Sequence, residues 1–97
     1  MENNKFKLKI VSREGLVFEG EVSSITSYNE KGKFDVLAQH ANFISLIKKG
    51  LSIKEIESSQ EREISFDNAL IRVKENFVEV YLGIEGIAPE IQKSVFA

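Results

Sequence analysis

The stretch Phe6-Lys7-Leu8-Lys9-Ile10-Val11 decides the fold class of this chain, because apolar and basic side chains alternate along it. Successive side chains of a β-strand point to opposite faces, so a period of two puts Phe6, Leu8 and Ile10 on one face and the two lysines on the other. The stretch is therefore predicted to be a strand with one buried face and one solvated face.

Similar short apolar runs continue to residue 82, and turn-forming residues separate them about every 8–12 positions. Turns are predicted at residues 13–15, 29–32, 48–50, 67–68 and 75–76, and Gly20 is predicted to close the second strand. Val22–Tyr28 spaces its apolar residues by three, but its serines and threonine disfavour a stable helix. We predict a strand there, with a bulge that resets the register.

These patterns predict an all-β fold, an antiparallel two-sheet β-sandwich of about eight to ten short strands with a short C-terminal tail. A chain of 97 residues suits one domain. We place that domain at residues 1–87 and the tail at residues 88–97, where Pro89 could begin one or two helical turns.

Composition excludes several classes of protein. The hydrophobic fraction of 42% is too high for intrinsic disorder. The 13 basic and 15 acidic residues leave a net charge of -2, whereas a nucleic-acid binder usually has a basic excess, so we expect no nucleic-acid partner. We find no signal peptide and no apolar run long enough to cross a bilayer, and we expect no direct membrane insertion.

The sequence lacks the groups that catalysis needs. It has no cysteine and a single histidine, His40, so no thiolate site or histidine cluster can hold a metal. No glycine-rich phosphate loop and no G-x-S-x-G nucleophile turn is present. We therefore expect no enzyme activity, no catalytic residue, no metal and no cofactor.

The residue patterns alone leave more than one interpretation open for four residues. His40 suits loop packing or a partner contact far better than a role as base or ligand. Lys31 and Lys33 flank Gly32, and by themselves they indicate only a solvated hairpin tip. Phe43 is more typical of the core than of a contact surface.

Two longer stretches resemble the ATP synthase epsilon chain family: KLKIVSREGLVFEGEV (residues 7–22) and KGKFDVLAQHANFISLIKKG (residues 31–50). The segments FDNALIRV (66–73) and NFVEVY (76–81) also follow the family pattern, and the resemblance covers about residues 6–87. The family's Pro-Gly-His-Ala-Pro is Ala-Gln-His-Ala-Asn here, at residues 38–42. Lys33 stands where the family has an acidic residue.

The resemblance implies the epsilon subunit of the F-type ATP synthase central stalk, a non-catalytic part that couples rotation of the membrane c-ring to the gamma subunit and catalytic head. It implies a location on the cytoplasmic face of the bacterial plasma membrane, held through the synthase complex. The implied c-ring contacts are Glu30, Lys31, Gly32, Lys33 and His40; the implied gamma contacts are Ser12, Phe43 and Ser45.

The long form of the family carries a C-terminal helix pair whose motifs have no counterpart in this sequence. The resemblance therefore implies a sandwich-only form that couples the rotor and does not inhibit by inserting a helix. The alternative from another class is a free-standing β-sandwich module that binds a ligand or peptide. Such a module would expose an aromatic cluster, and this sequence has no tryptophan and two tyrosines.

Overall fold

The computed structural model describes residues 4–39, 41–56 and 61–83, and these form seven β-strands. The strands are β1 (Phe6–Ser12), β2 (Gly15–Asn29), β3 (Gly32–Leu37), β4 (Phe43–Glu55), β5 (Glu61–Ile64), β6 (Asn68–Lys74) and β7 (Phe77–Leu82). The all-β prediction is confirmed. The predicted end of the domain at residue 87 and the tail at 88–97 lie outside the described residues.

Two long strands build both layers of the sandwich. The first half of β2 pairs with β1 and its second half pairs with β3, while β4 pairs first with β6 and then with β5. The second halves of β2 and β4 also pair with each other. One layer, layer A, therefore has the order β2-β1-β7-β6-β4, and the other, layer B, has the order β3-β2-β4-β5.

Three details of the prediction need correction. The described residues form seven strands rather than eight to ten, because β2 runs through Gly20 and β4 runs through residues 48–50, where strand ends were expected. At that second place the chain bends within a strand, with positive φ angles at Lys49 (68°) and Gly50 (78°). The sandwich is also not wholly antiparallel, since β1 pairs parallel with β7.

The predicted bulge in Val22–Tyr28 is confirmed. The register between β2 and β4 shifts between Val22 and Ser24. The shift explains the spacing of three, because Val22 and Ile25 are both buried although a regular strand would place them on opposite faces.

The core lies between the two layers. It is formed by the side chains that point inward from the alternating strands. Leu8, Ile10, Ile71 and Val80 are fully buried in layer A, and Ile53 is fully buried in layer B. Close-packed buried aliphatic residues make a stiff body. The described residues contain no membrane-spanning helix.

Ser27 contributes the buried polar contact that holds the bend of β4. Its side chain is 2% exposed, and its hydroxyl donates a hydrogen bond of 2.8 Å to the carbonyl oxygen of Gly50. Loss of a buried hydrogen bond is costly, because the Gly50 carbonyl oxygen cannot accept a hydrogen bond from water in its place.

We expect S27A to lower the free energy of unfolding by about 1–2 kcal/mol, measured by urea denaturation. S23A is the matched control, because the Ser23 hydroxyl makes a similar bond of 3.1 Å to the Lys54 carbonyl oxygen at an exposed position. Its loss should stay below about 0.5 kcal/mol. Equal losses in the two variants would show that burial of the Ser27 bond does not matter.

Candidate partner-binding surfaces

The β2–β3 hairpin tip, residues 30–33, projects from the sandwich and carries four of the predicted c-ring contacts. Glu30, Lys31, Gly32 and Lys33 are all exposed. The Asn29 side-chain oxygen accepts a hydrogen bond of 2.8 Å from the backbone N–H of Lys31, which shapes the turn locally. Sequence reasoning located this tip correctly as a hairpin turn; its role as a c-ring contact stays a prediction.

His40, the fifth predicted c-ring contact, lies outside the described residues. The connection beside it is tied to the β6–β7 turn. The Asn76 side-chain oxygen accepts a 2.7 Å hydrogen bond from the backbone N–H of Gln39, and the Asn42 side-chain oxygen accepts one of the same length from Glu75. These bonds fix both sides of the loop, although the family's prolines and glycine are absent from it.

A groove of about 360 Å³ separates the hairpin tip from the start of β4. It is lined by Glu30 and Lys31 on one side and by Phe43 and Ser45 on the other. The structure therefore brings two predicted c-ring contacts and two predicted gamma contacts to one groove, where the sequence had suggested separate surfaces.

The side chains of Phe43 and Ser45 are directed into the sandwich rather than toward a partner. In the pairing of β4 with β6, Phe43 lies opposite Val73 and Ser45 lies opposite Ile71. Both partners are buried, so the side chains of Phe43 and Ser45 point toward the core. The Phe43 ring is half-buried and meets the Phe34 ring edge to face at 5.9 Å between centroids. Their first role is packing at the open edge of the core.

Ser12 lies far from this groove, at the tight turn between β1 and β2. Its hydroxyl oxygen accepts a hydrogen bond of 3.2 Å from the backbone N–H of Glu14. In layer A, β1 and β4 are separated by β7 and β6. The structure therefore does not unite Ser12 with Phe43 and Ser45.

Sequence reasoning missed an apolar row across the outer face of layer A. Cross-strand pairing aligns one outward residue from each of five strands: Leu16, Val11, Tyr81, Leu70 and Leu46. Leu16 is 58% exposed, and the other four are half-buried. All of them except Leu16 lie next to a core residue in their own strand. The apolar runs were therefore visible in the sequence, but their alignment required the strand order.

The row stays uncharged at neutral pH. Burial raises the pKa of the Tyr81 hydroxyl above its ordinary value of 10.0, and the neighbouring Glu79 carboxylate raises it further. Arg72 opposes this shift but is itself paired with Glu79 at 3.0 Å. Apolar residues aligned on an outer sheet face are typical of a surface that another protein covers.

The outer face of layer B is polar by contrast. Thr26 and Ser52 are paired on adjacent strands there, and the Thr26 hydroxyl donates a 2.6 Å hydrogen bond to Asp35. A cleft of about 480 Å³ opens on this face, with Tyr28 and Lys49 among its lining residues. The described residues place no three potential metal-ligating side chains together.

Comparison with known proteins identifies the family of the sandwich. A family profile described as "ATP synthase, Delta/Epsilon chain, beta-sandwich domain" matches residues 5–82, which is the whole described sandwich except its first and last residue.

Curated relatives are described as ATP synthase epsilon chains. The chain is 37% identical over 94 residues to the ATP synthase epsilon chain of a Nitratiruptor species, covering 92% of this chain and 73% of that protein. It is 32% identical over 77 residues to the epsilon chain of Sulfurimonas denitrificans, covering 79% of this chain and 59% of that protein.

Solved structures support the fold. A chain in the cryo-EM structure of Euglena gracilis mitochondrial ATP synthase, described as OSCP/F1/c-ring, superposes with a TM-score of 0.74 at 16% identity. The superposition covers 94% of this chain and 61% of the other. A chain in the central stalk/c-ring structure of the Tetrahymena thermophila mitochondrial enzyme gives a TM-score of 0.63 at 10% identity.

Proposed function

The chain belongs to the family of ATP synthase delta and epsilon β-sandwich domains, and from that premise we propose that it is the epsilon subunit of an F-type ATP synthase central stalk. In this role it couples rotation of the c-ring to the gamma subunit and the catalytic head during proton-driven ATP synthesis. The observation that carries the proposal is the match of the whole described sandwich to one family.

The physical properties of the described residues suit a mechanical part that does no chemistry itself. A coupling subunit needs a stiff body and two partner surfaces, and no reactive group. The layers share β2 and β4, so a force applied to one layer passes to the other through continuous backbone as well as through the packed core. We therefore propose a non-catalytic subunit of the complex, peripheral to the membrane on the bacterial cytoplasmic face.

We propose that the hairpin tip, residues 30–33, contacts the c-ring, together with His40. Support comes from exposure: all four tip residues are accessible, and a groove lies behind them into which a loop of a partner can fit. A two-residue turn held by the Asn29 side chain can transmit force without folding back.

We propose that the gamma subunit covers the apolar row on the outer face of layer A. Two predicted gamma contacts border that row in sequence, because Ser12 follows Val11 and Ser45 precedes Leu46. Burial of an aligned apolar surface supplies the main favourable free energy of a stable protein interface. Phe43 supports this surface from the inner side by packing at the edge of the core.

Co-purification tests the proposed function. An affinity tag on this chain, expressed in its own organism, should recover gamma and the c subunit from solubilised membranes, as identified by mass spectrometry. A tagged β-sandwich of similar size from another family is the control for carry-over. Recovery of neither subunit, with the tagged chain folded and soluble, contradicts the assignment and favours the free-standing binding module.

A further inference from the structure

Asn42 and Asn76 join two connections of the chain through a reciprocal pair of hydrogen bonds. We propose that both asparagines are positioning residues, which hold the β3–β4 connection (residues 38–42) in one conformation before a partner contacts it. The inference rests on the proposed function, which brings His40 of this connection to the c-ring. It adds that the contact depends on two side-chain amides that act through the backbone.

Each of the two asparagines accepts a hydrogen bond from the backbone of the other connection. The Asn76 side-chain oxygen, on the β6–β7 turn, accepts a bond of 2.7 Å from the Gln39 N–H. The Asn42 side-chain oxygen, on the β3–β4 connection, accepts a bond of 2.7 Å from the Glu75 N–H. We call this exchange the asparagine clasp. Because both bonds join the same two segments, loss of either should loosen the other.

The two donors of the clasp have an unusual backbone conformation. Gln39 has a φ angle of 63° and Glu75 one of 57°, in the left-handed region that glycine adopts most readily. Three non-glycine residues have a positive φ among those described, and these are two of them. Such residues persist where surrounding contacts hold them, and they concentrate at binding sites. The clasp supplies that contact directly, because it bonds the N–H of each strained residue.

Asn76 also ties the clasp to layer A. Its side-chain nitrogen donates a hydrogen bond of 3.3 Å to the carbonyl oxygen of Lys5. Its own carbonyl oxygen accepts one of 3.0 Å from the backbone N–H of Lys7. The β3–β4 connection leaves β3, an edge strand of layer B, and enters β4 in layer A. The clasp therefore fastens the passage between the layers to a turn and to the start of β1.

The clasp provides restraint where this chain lacks the rigid residues of the family pattern. Gln39 stands at the glycine of that pattern, and Ala38 and Asn42 stand at its two prolines. Proline limits φ by its ring, whereas Asn42 restrains the connection by bonding a distant segment. His40 directly follows Gln39, and only Ala41 separates it from Asn42. A contact made by His40 thus has a held residue on each side, and less conformational freedom is lost on binding.

Amide hydrogen exchange, followed by NMR, tests whether the clasp acts as one unit. We expect N76A to speed exchange of the N–H groups of both Gln39 and Glu75 by about fivefold or more. N42A should speed the same two groups. N68A is the matched control, because Asn68 is exposed and lies at the other end of β6, and it should leave both rates unchanged. If each variant affects only the N–H that its own side chain bonds, the two bonds are independent and the clasp is refuted.

Affinity for the purified c-ring, held in nanodiscs, tests the positioning role. N42A should bind the ring about threefold more weakly and N42A/N76A about fivefold or more, because the connection must then be ordered during binding. The affinity of the double variant for gamma should stay within about twofold of wild type, since the apolar row lies at the other end of β6 and β7.

Two rescue variants separate conformation from direct contact. N42P lacks the amide but restricts the connection, and N42D keeps an accepting oxygen for the Glu75 N–H. Both should bind the ring within about twofold of wild type. Ring affinity as low in both as in N42A would show that the Asn42 amide itself contacts the ring, which overturns the positioning role.

Two further results overturn the inference. Unchanged ring affinity in N42A/N76A, with faster exchange of both amides, shows that ring binding does not depend on the held conformation. Equal losses of ring and gamma affinity show general destabilisation instead of positioning. If the wild type binds neither ring nor gamma, the proposed function itself fails, and the exchange rates alone still decide whether the clasp exists.

Discussion

G50A is expected to lose about 2–4 kcal/mol of its free energy of unfolding, the largest stability effect of any change proposed for this protein. Gly50 has a φ angle of 78°, which an alanine side chain disfavours. An added Cβ would also lie 2.7 Å from the backbone carbonyl oxygen of Ile64. Because that oxygen belongs to a neighbouring segment and not to a flexible side chain, the bend of β4 must shift to admit the methyl group.

G32A separates the two causes of that loss. Gly32 also has a positive φ, 117°, but a Cβ there meets no atom within 4 Å. Backbone strain alone should cost about 1–2 kcal/mol. Urea denaturation of both variants gives the comparison, and a loss in G50A no larger than in G32A would show that the close approach to Ile64 is unimportant.

L70E is expected to weaken binding of the gamma subunit by about 30-fold or more, the largest effect on assembly. Leu70 lies between Leu46 and Tyr81 in the apolar row, so a partner that covers the row must bury its side chain. A buried carboxylate without a cation costs about 2 kcal/mol or more. Titration of purified gamma against the folded variant measures the loss.

L37E is the matched control for L70E. Leu37 is 56% exposed and lies at the end of β3, an edge strand of layer B, so the same substitution adds the same charge away from the row. Its affinity for gamma should stay within about threefold of wild type. If L70E binds gamma as tightly as L37E does, gamma does not cover the apolar row.

Local alternation predicted much of the fold from the sequence. The strands β1, β6 and β7 were identified because each alternates buried and outward residues without interruption. The bulge after Val22 was also predicted, since a spacing of three within a polar, serine-rich stretch is incompatible with either a regular strand or a stable helix. The hairpin tip followed from its polar residues and Gly32.

The bends were misread as turns for a physical reason. A glycine or a pair of lysines between two apolar runs occurs both where the chain reverses in a turn and where one strand continues through a bend. The local sequence therefore does not distinguish the two. At Gly50 the decision comes from contacts distant in sequence, namely the Ser27 hydroxyl on its carbonyl and the Ile64 backbone beside it. The parallel pairing of β1 with β7 is likewise a contact between the two ends of the described chain.

The candidate surfaces also differ in whether the sequence alone could locate them. The hairpin tip was found from residues 29–33 alone, because a turn is a property of neighbouring residues. The apolar row was not found, because it draws its members from strands that are separated in sequence.

Sequence alone determined that this chain forms strands with one buried face, where its main hairpin tip lies, and which family it resembles, since periodicity and motifs are carried by adjacent residues. Tertiary structure alone decided that β2 and β4 pass from one layer to the other, and which outward side chains meet in the apolar row. Those outcomes depend on cross-strand register, and register is set by the packing of the whole core rather than by any single segment.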